Sequence, residues 1–164
     1  MKFLSRLDSI LTRIEGWSVI ALLSVMLLLS FVQVVLRNIF SESILWGDIL
    51  LRHLVLWVGF LGAALATSHG KHISIDALTR FLTPRLKLVA SIVTNLFAAG
   101  VCFVLFQASL TFLSNEAADG STVYGSVSSI YSEIIIPIGF GLIIIHFLIR
   151  IISDLRRLFA KDPE

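Results

Sequence analysis

The sequence predicts an all-α integral membrane protein: four transmembrane helices, a short amphipathic N-terminal lead-in, and a short interfacial helix between spans two and three. Three observations carry this. First, the 164 residues are 57% hydrophobic and only 15% charged, while a soluble domain is about half apolar and about a quarter charged. Second, the charges leave four long gaps. Gly16–Leu36 is 21 residues without a charge, His53–Gly70 is 18, Leu88–Asn115 is 28 and Ile134–Ile149 is 16. A hydrocarbon core about 30 Å thick takes about 20 apolar residues of helix. Third, 11 of the 13 Lys and Arg residues fall before span one, between spans two and three or in the first turn of span three, or in the last turn of span four or after it. By the positive-inside rule both termini and the middle loop are cytoplasmic. The expected organisation is one membrane domain over 1–164, with spans at about 16–36, 44–68, 84–113 and 130–152 and outer loops at 37–43 and 114–132. The formal net charge of +2 implies no nucleic-acid surface.

In the lead-in, Phe3, Leu4, Leu7, Ile10, Leu11 and Ile14 recur with a 3.6-residue period, and Arg6 and Arg13 lie on another face. It reads as a surface helix continuous with span one. Asp8 and Glu15 interrupt the basic stretch, and no small-residue cleavage site follows, so a retained helix is expected rather than a signal peptide. Trp17 sits at interfacial depth. Gln33, near the outer end of span one, reads as an interhelical hydrogen-bonding group. Ser41-Glu42-Ser43 resembles a helix start, with a hydroxyl cap and a first-turn acid.

Span two carries the densest pattern in the chain. Asp48 and Arg52 are four residues apart, acid first, on one face. They form either a self-paired interfacial ion pair of little energetic weight or a contact with a partner subunit, since ionisable residues at membrane depth are functional candidates. Gly59, Gly62, Ala63, Ala66 and Gly70 form one helical stripe. Small residues let helices approach closely in lipid, so the stripe is a contact face, toward this chain's own helices or another protein. Gly70 reads as a C-cap, with His69 and Lys71 beside the negative helix end. Ile75, Leu78 and Leu82 against Asp76, Thr79 and Arg80 make the short interfacial helix.

Thr83-Pro84 reads as an N-cap and first-turn proline opening span three. Asn95 and Gln107 are candidate interhelical donors, and Ala98-Ala99-Gly100 allows close approach. Cys102 reads as a small apolar filler, and a lone cysteine excludes a dithiol function. The Ser114–Ser132 connection, rich in Ser, Thr and Gly, is expected to be irregular and a docking surface. In span four, Pro137 kinks or opens the embedded part, His146 lies near the cytoplasmic end, and a charged tail without further structure is expected from Ser153.

The sequence holds no phosphate loop, no nucleophile elbow and no zinc-protease motif. His69, His72 and Asp76 have zinc-ligand chemistry, but their spacing straddles a glycine turn, which favours helix capping; no metal and no cofactor are expected. A b-type cytochrome is the alternative reading, with His53 and His69 about 24 Å apart along span two; His53, however, lacks a partner histidine at its level. A stand-alone transporter would show internal repeats and midplane polar groups, and neither is present.

Asp48-x-x-x-Arg52, Trp57, the Phe60–Ala66 run FLGAALA and Gly70-x-His72-Ile73-x-Ile75-Asp76 together resemble the small membrane subunit (DctQ type) of tripartite ATP-independent periplasmic (TRAP) transporters. Ile136-Pro137-Ile138-Gly139 and the four spans extend the likeness across the chain. The family usually has Glu where Asp48 stands. The resemblance implies a non-catalytic scaffold in the bacterial inner membrane. Its partners would be a large membrane subunit, which carries the sodium and substrate sites, and a periplasmic binding protein that delivers an organic acid. It also implies that Asp48, Arg52, Trp57, Gly59, Gly62, Ala63, Ala66, Gly70, His72 and Asp76 serve assembly, with no catalytic, metal or substrate-binding residue on this chain.

Overall fold

The structure, a computed structural model, describes residues 2–40, 44–69, 83–125 and 127–159. Helix α1 spans Lys2–Val35 and continues as a π-helical stretch over Leu36–Phe40. Then follow α2 (Leu45–Ser68), α3 (Pro84–Asp119), a small hairpin of β1 (Thr122–Tyr124) and β2 (Val127–Ser128), a one-turn helix α4 (Ile130–Glu133), and α5 (Ile135–Phe159). Four helical stretches are long and apolar enough to cross a membrane: Arg6–Phe40, Trp46–Ser68, Arg85–Asp119 and Ile130–Phe159. The fold class expected from the sequence is the one found, and the lead-in is the uninterrupted start of α1.

Residues 70–82 lie outside the described residues, and with them Gly70, His72, Asp76 and the interfacial helix expected there; so does the Ser41-Glu42-Ser43 helix start. Ile44 is the N-cap of α2, without a side-chain capping bond.

Several boundaries differ from the sequence reading. Helix α3 runs to Asp119, six residues into the stretch expected to be loop. It stops at Gly120, whose φ of +62° is a left-handed conformation that glycine adopts without strain. The connection beyond is a hairpin with β1 antiparallel to β2, pairing Thr122 with Ser128 and Tyr124 with Val127 and turning at Gly125, φ +56°. Pro137 has no N–H to donate to the Glu133 carbonyl, and the helix is broken there, between α4 and α5. The charged tail is not without structure: α5 continues to Phe159, with Arg156 and Arg157 at the negative end of its dipole.

Helix α5 is central and α1 peripheral. None of the most apolar stretch of α1 is buried, against 39% of that of α5. The core between α2, α3 and α5 is Ala64, Ala99, Ile143 and Phe147, with Ala98, Cys102 and Leu142 packed against it. Small residues on α2 and α3 let these helices close on the larger side chains of α5. A close approach of α2 and α5 is at Gly139, which is buried against Phe60; a Cβ there would stand 2.6 Å from the Phe60 ring and 2.7 Å from its Cβ. Phe60 is held from the other side by Phe140, ring centroids 5.3 Å apart and edge to face. Much of the remaining apolar surface is bare, including Leu27, Phe31 and Phe97, as expected of helices facing lipid or another membrane protein.

Gly139→Val is expected to destabilise the isolated chain in detergent by about 1–3 kcal/mol, because the Cβ of Phe60 cannot swing away. Gly100→Ala, with nothing within 4 Å of the added carbon, should leave the melting temperature within a degree or two.

Candidate assembly surface

The polar groups fall into two tiers joined by the apolar core. The first tier lies at the end that carries the chain termini. His146, Arg150 and Asp154 recur every four residues and so share one face of α5. Each reaches a different helix. His146, 3% exposed, sits between two carboxylates of α1, with Nδ1 3.0 Å from Asp8 Oδ1 and Nε2 3.0 Å from Glu15 Oε1. Both ring nitrogens donate only in the imidazolium form, so the geometry is that of a cation between two anions. Glu15 is also 3% exposed, and its Oε2 has no hydrogen-bond partner among the described residues. Arg150 Nη2 donates to the carbonyls of Thr67 and Ser68 at 2.9 and 3.2 Å, satisfying acceptors that the end of α2 leaves open. Asp154 Oδ2 accepts from Ser91 Oγ on α3 at 2.7 Å, and Asn95 Nδ2 donates to the same hydroxyl at 3.2 Å. Asn95, expected from the sequence to bond between helices, bonds to Ser91 of its own helix and reaches α5 only through that hydroxyl.

The second tier lies at the opposite end. Trp57 Nε1 donates to the Ser132 carbonyl at 2.9 Å, fastening α2 to α4. Gln33 of α1 meets the start of α2. With its amide turned to match donors with acceptors, Nε2 donates to Asp48 Oδ1 at 3.2 Å and Oε1 accepts from the Asp48 N–H at 3.0 Å. The opposite orientation gives a weaker 3.4 Å contact to the Ile44 carbonyl, so the paired one is the physical choice. Gly47 is buried beneath it, and a side chain there would collide with the Gln33 amide.

The sequence-derived interface residues separate on this frame. Asp48, Arg52, Gly59, Ala63 and Ala66 are all exposed, and Gly62 is half-buried. Steps of three and four residues place them on one face of α2 together with Val55. No heavy atom outside the local helix lies within 4 Å of a Cβ built at Gly59 or Gly62. The chain's own core uses the other side of α2, where Leu61, Ala64 and Thr67 are buried. Asp48 and Arg52 make no ion pair with each other among the described residues; Asp48 turns toward Gln33. Trp57 points inward and its donor is engaged within the chain.

Between α1, α2, the hairpin and α4 lies an open, apolar cavity of about 590 Å³, walled by Leu22, Ile49, Leu54, Trp57 and Tyr131. His53 lines it too, its Nδ1 facing the Ile49 carbonyl of its own helix at 2.7 Å. No Lys or Arg is among the cavity's described lining residues. Among the described residues no cluster of His, Cys, Asp and Glu is arranged to hold a metal. The haem alternative finds no support among the described residues, where both nitrogens of His146 are taken by carboxylates.

The sequence reading missed the His146–Arg150–Asp154 face. Its signal was the four-residue spacing of three polar residues, continued inside an apolar helix, matched by Glu15 and Asp8 two turns apart on α1.

These features define a polytopic helical membrane protein in which polar side chains of α5 bind the other three long helices and the Arg52–Ala66 face of α2 stays open. Comparison with known proteins gives the particular family. Residues 26–157 match the family of tripartite ATP-independent periplasmic transporters, DctQ component, and the chain belongs to it. A Haemophilus influenzae protein provisionally named a TRAP transporter small permease protein is 31% identical over 90 residues, which is 55% of this chain and 56% of that relative. The C4-dicarboxylate TRAP transporter small permease protein DctQ of Pseudomonas aeruginosa is 24% identical over 87% of this chain and 84% of its own length. The sialic acid TRAP transporter permease protein SiaT of Haemophilus influenzae is 24% identical over 84% of this chain, but the match takes up only 21% of that longer protein. The chain is a multi-pass membrane subunit, a TRAP transporter small permease.

His146→Leu is expected to destabilise the chain by about 3–5 kcal/mol, because it leaves the buried Glu15 carboxylate without its cation. The double variant Glu15→Leu/His146→Leu should recover most of that loss. Thermal unfolding of the two purified variants in detergent measures the difference.

Proposed function

We propose that this chain is a non-catalytic scaffold subunit of a sodium-coupled TRAP transporter that imports an organic acid delivered by a periplasmic binding protein. Its partner is the large membrane permease subunit. The observation that carries the reading is the two-faced α2: one side closes this chain's core, and the other offers Arg52, Gly59, Gly62, Ala63 and Ala66 to a neighbour. SiaT supports it, since there the matching stretch is part of one polypeptide several times longer. Gly70, His72 and Asp76 continue the proposed assembly surface by their place in the family motif. The relatives' names mention a C4-dicarboxylate and sialic acid, both carboxylates. No Lys or Arg is among the described lining residues of this chain's apolar cavity, which fits substrate recognition by other polypeptides.

The location proposed is the bacterial inner membrane with both termini cytoplasmic, supported by the 11 of 13 basic residues on that side. The hairpin and α4 then stand at the periplasmic surface, where they widen a docking platform for the binding protein.

Vesicles holding this chain alone should show no uptake, and vesicles holding chain, large permease and binding protein should show uptake that requires an inward sodium gradient. Uptake by the purified chain alone would reject the scaffold role. Gly62→Leu should reduce recovery of the large permease with the tagged chain several-fold, since added bulk separates helices that small residues let approach, while leaving the chain's own melting temperature unchanged.

A further inference from the structure

Arg52 is exposed, and among the described residues it has neither a hydrogen bond nor an ion pair. The acid one turn before it is not its partner, because the Asp48 carboxylate is turned to the Gln33 amide of α1. Arg52 lies seven residues into α2, about 10 Å along its axis, where an arginine facing lipid is unfavourable. On the same face, just below it, Gly59 and Gly62 leave open space that a neighbouring helix can enter. A helix seated there would run directly past the guanidinium. An arginine at such a contact is matched best by a carboxylate, which takes two parallel N–H donors.

We infer that the Arg52–Ala66 face of α2 receives one transmembrane helix of the large permease and that this helix carries an Asp or Glu opposite Arg52. The inference rests on the proposed subunit role and adds the chemistry of the contact. It also divides the Asp48/Arg52 pair: Asp48 belongs to the internal α1–α2 junction, and Arg52 belongs to the interface. Charge complementarity then sets the register of the two helices, and the small residues set their separation.

The test uses tagged full-length chain expressed together with the large permease of its transporter, with recovery of the permease as the readout. Arg52→Glu should lower recovery at least tenfold, Arg52→Gln several-fold, and Arg52→Lys least. All three should keep the melting temperature of the separately purified chain, since Arg52 has no described partner within it. A photo-crosslinking residue in place of the exposed Val55 should attach to a permease helix with an acidic residue within one turn of the crosslink. Changing that acid to Lys should restore recovery with Arg52→Glu. Undiminished recovery with Arg52→Glu, or crosslinks to lipid or to a helix without an acid, would overturn the inference and leave the subunit role standing. Failure of the wild-type chain to recover the permease would overturn the subunit role, and this inference with it.

Discussion

The arrangement of the helices depends on one face of α5. His146, Arg150 and Asp154 stand one above another, and each is bonded to a different helix: α1 through Asp8 and Glu15, α2 through its last carbonyls, and α3 through Ser91. Lipid tails are as apolar as leucine, so helices in a bilayer are not driven together by hydrophobicity. Polar contacts and close packing must fix their positions. A misplaced α5 would leave an imidazolium, a guanidinium and several carboxylates unmatched in a low-dielectric medium, where unpaired charge is most costly. That penalty selects a single register for all three partners at once. The second tier, Trp57 with Ser132 and Gln33 with Asp48, fixes the other end of α1 and α2 in the same way.

The two tiers leave the middle of the molecule to packing alone. Ala64 and Ala99 yield room for Ile143 and Phe147, and Gly139 yields room for Phe60. These small residues are indispensable because something large already occupies the space they leave. Gly59 and Gly62 have the opposite character: the space above them is empty. Residue type alone does not distinguish the two situations, and only the position of α5 does. Once α5 is docked on the Leu61–Ala64–Thr67 side of α2, the Gly59–Ala66 side can no longer be covered by the central helix of the chain.

The spans were legible in the sequence because a charge is excluded from the hydrocarbon core more strongly than any residue is attracted to it, so gaps between charges mark helices directly. The same rule misled at the ends. Arg150 read as a marker of the cytoplasmic end and Asp154 as part of a tail without structure, yet both are held inside the bundle by groups more than sixty residues away in the chain. Glu15 read as part of a basic lead-in, and only its partner His146 explains an acid at that depth. The helix continuing through Ser114–Asp119 was hidden by polar residues that favour loops but tolerate helix, while Gly120, which ends it, was visible as one of the glycines in that stretch. Along α2 the small-residue stripe was visible as a contact surface, but its direction was not, because periodicity gives a face and not what lies opposite it.

That direction has a consequence for where chemistry takes place. Moving a carboxylate across a bilayer requires a cation or a metal at mid-depth to balance it. In this chain the cations within the helices are committed elsewhere. His146 balances two carboxylates, Arg150 closes a helix end, and Arg52 faces outward near one surface. The cavity beside α2 is apolar, and its described lining holds one histidine, turned to its own backbone. A bundle whose α5 is held to three other helices by charged contacts resists rearrangement, since any large shift would break several of them together. Rigidity of this kind suits an element that another protein moves against, and it is bought with the very polar groups that a transport site would need.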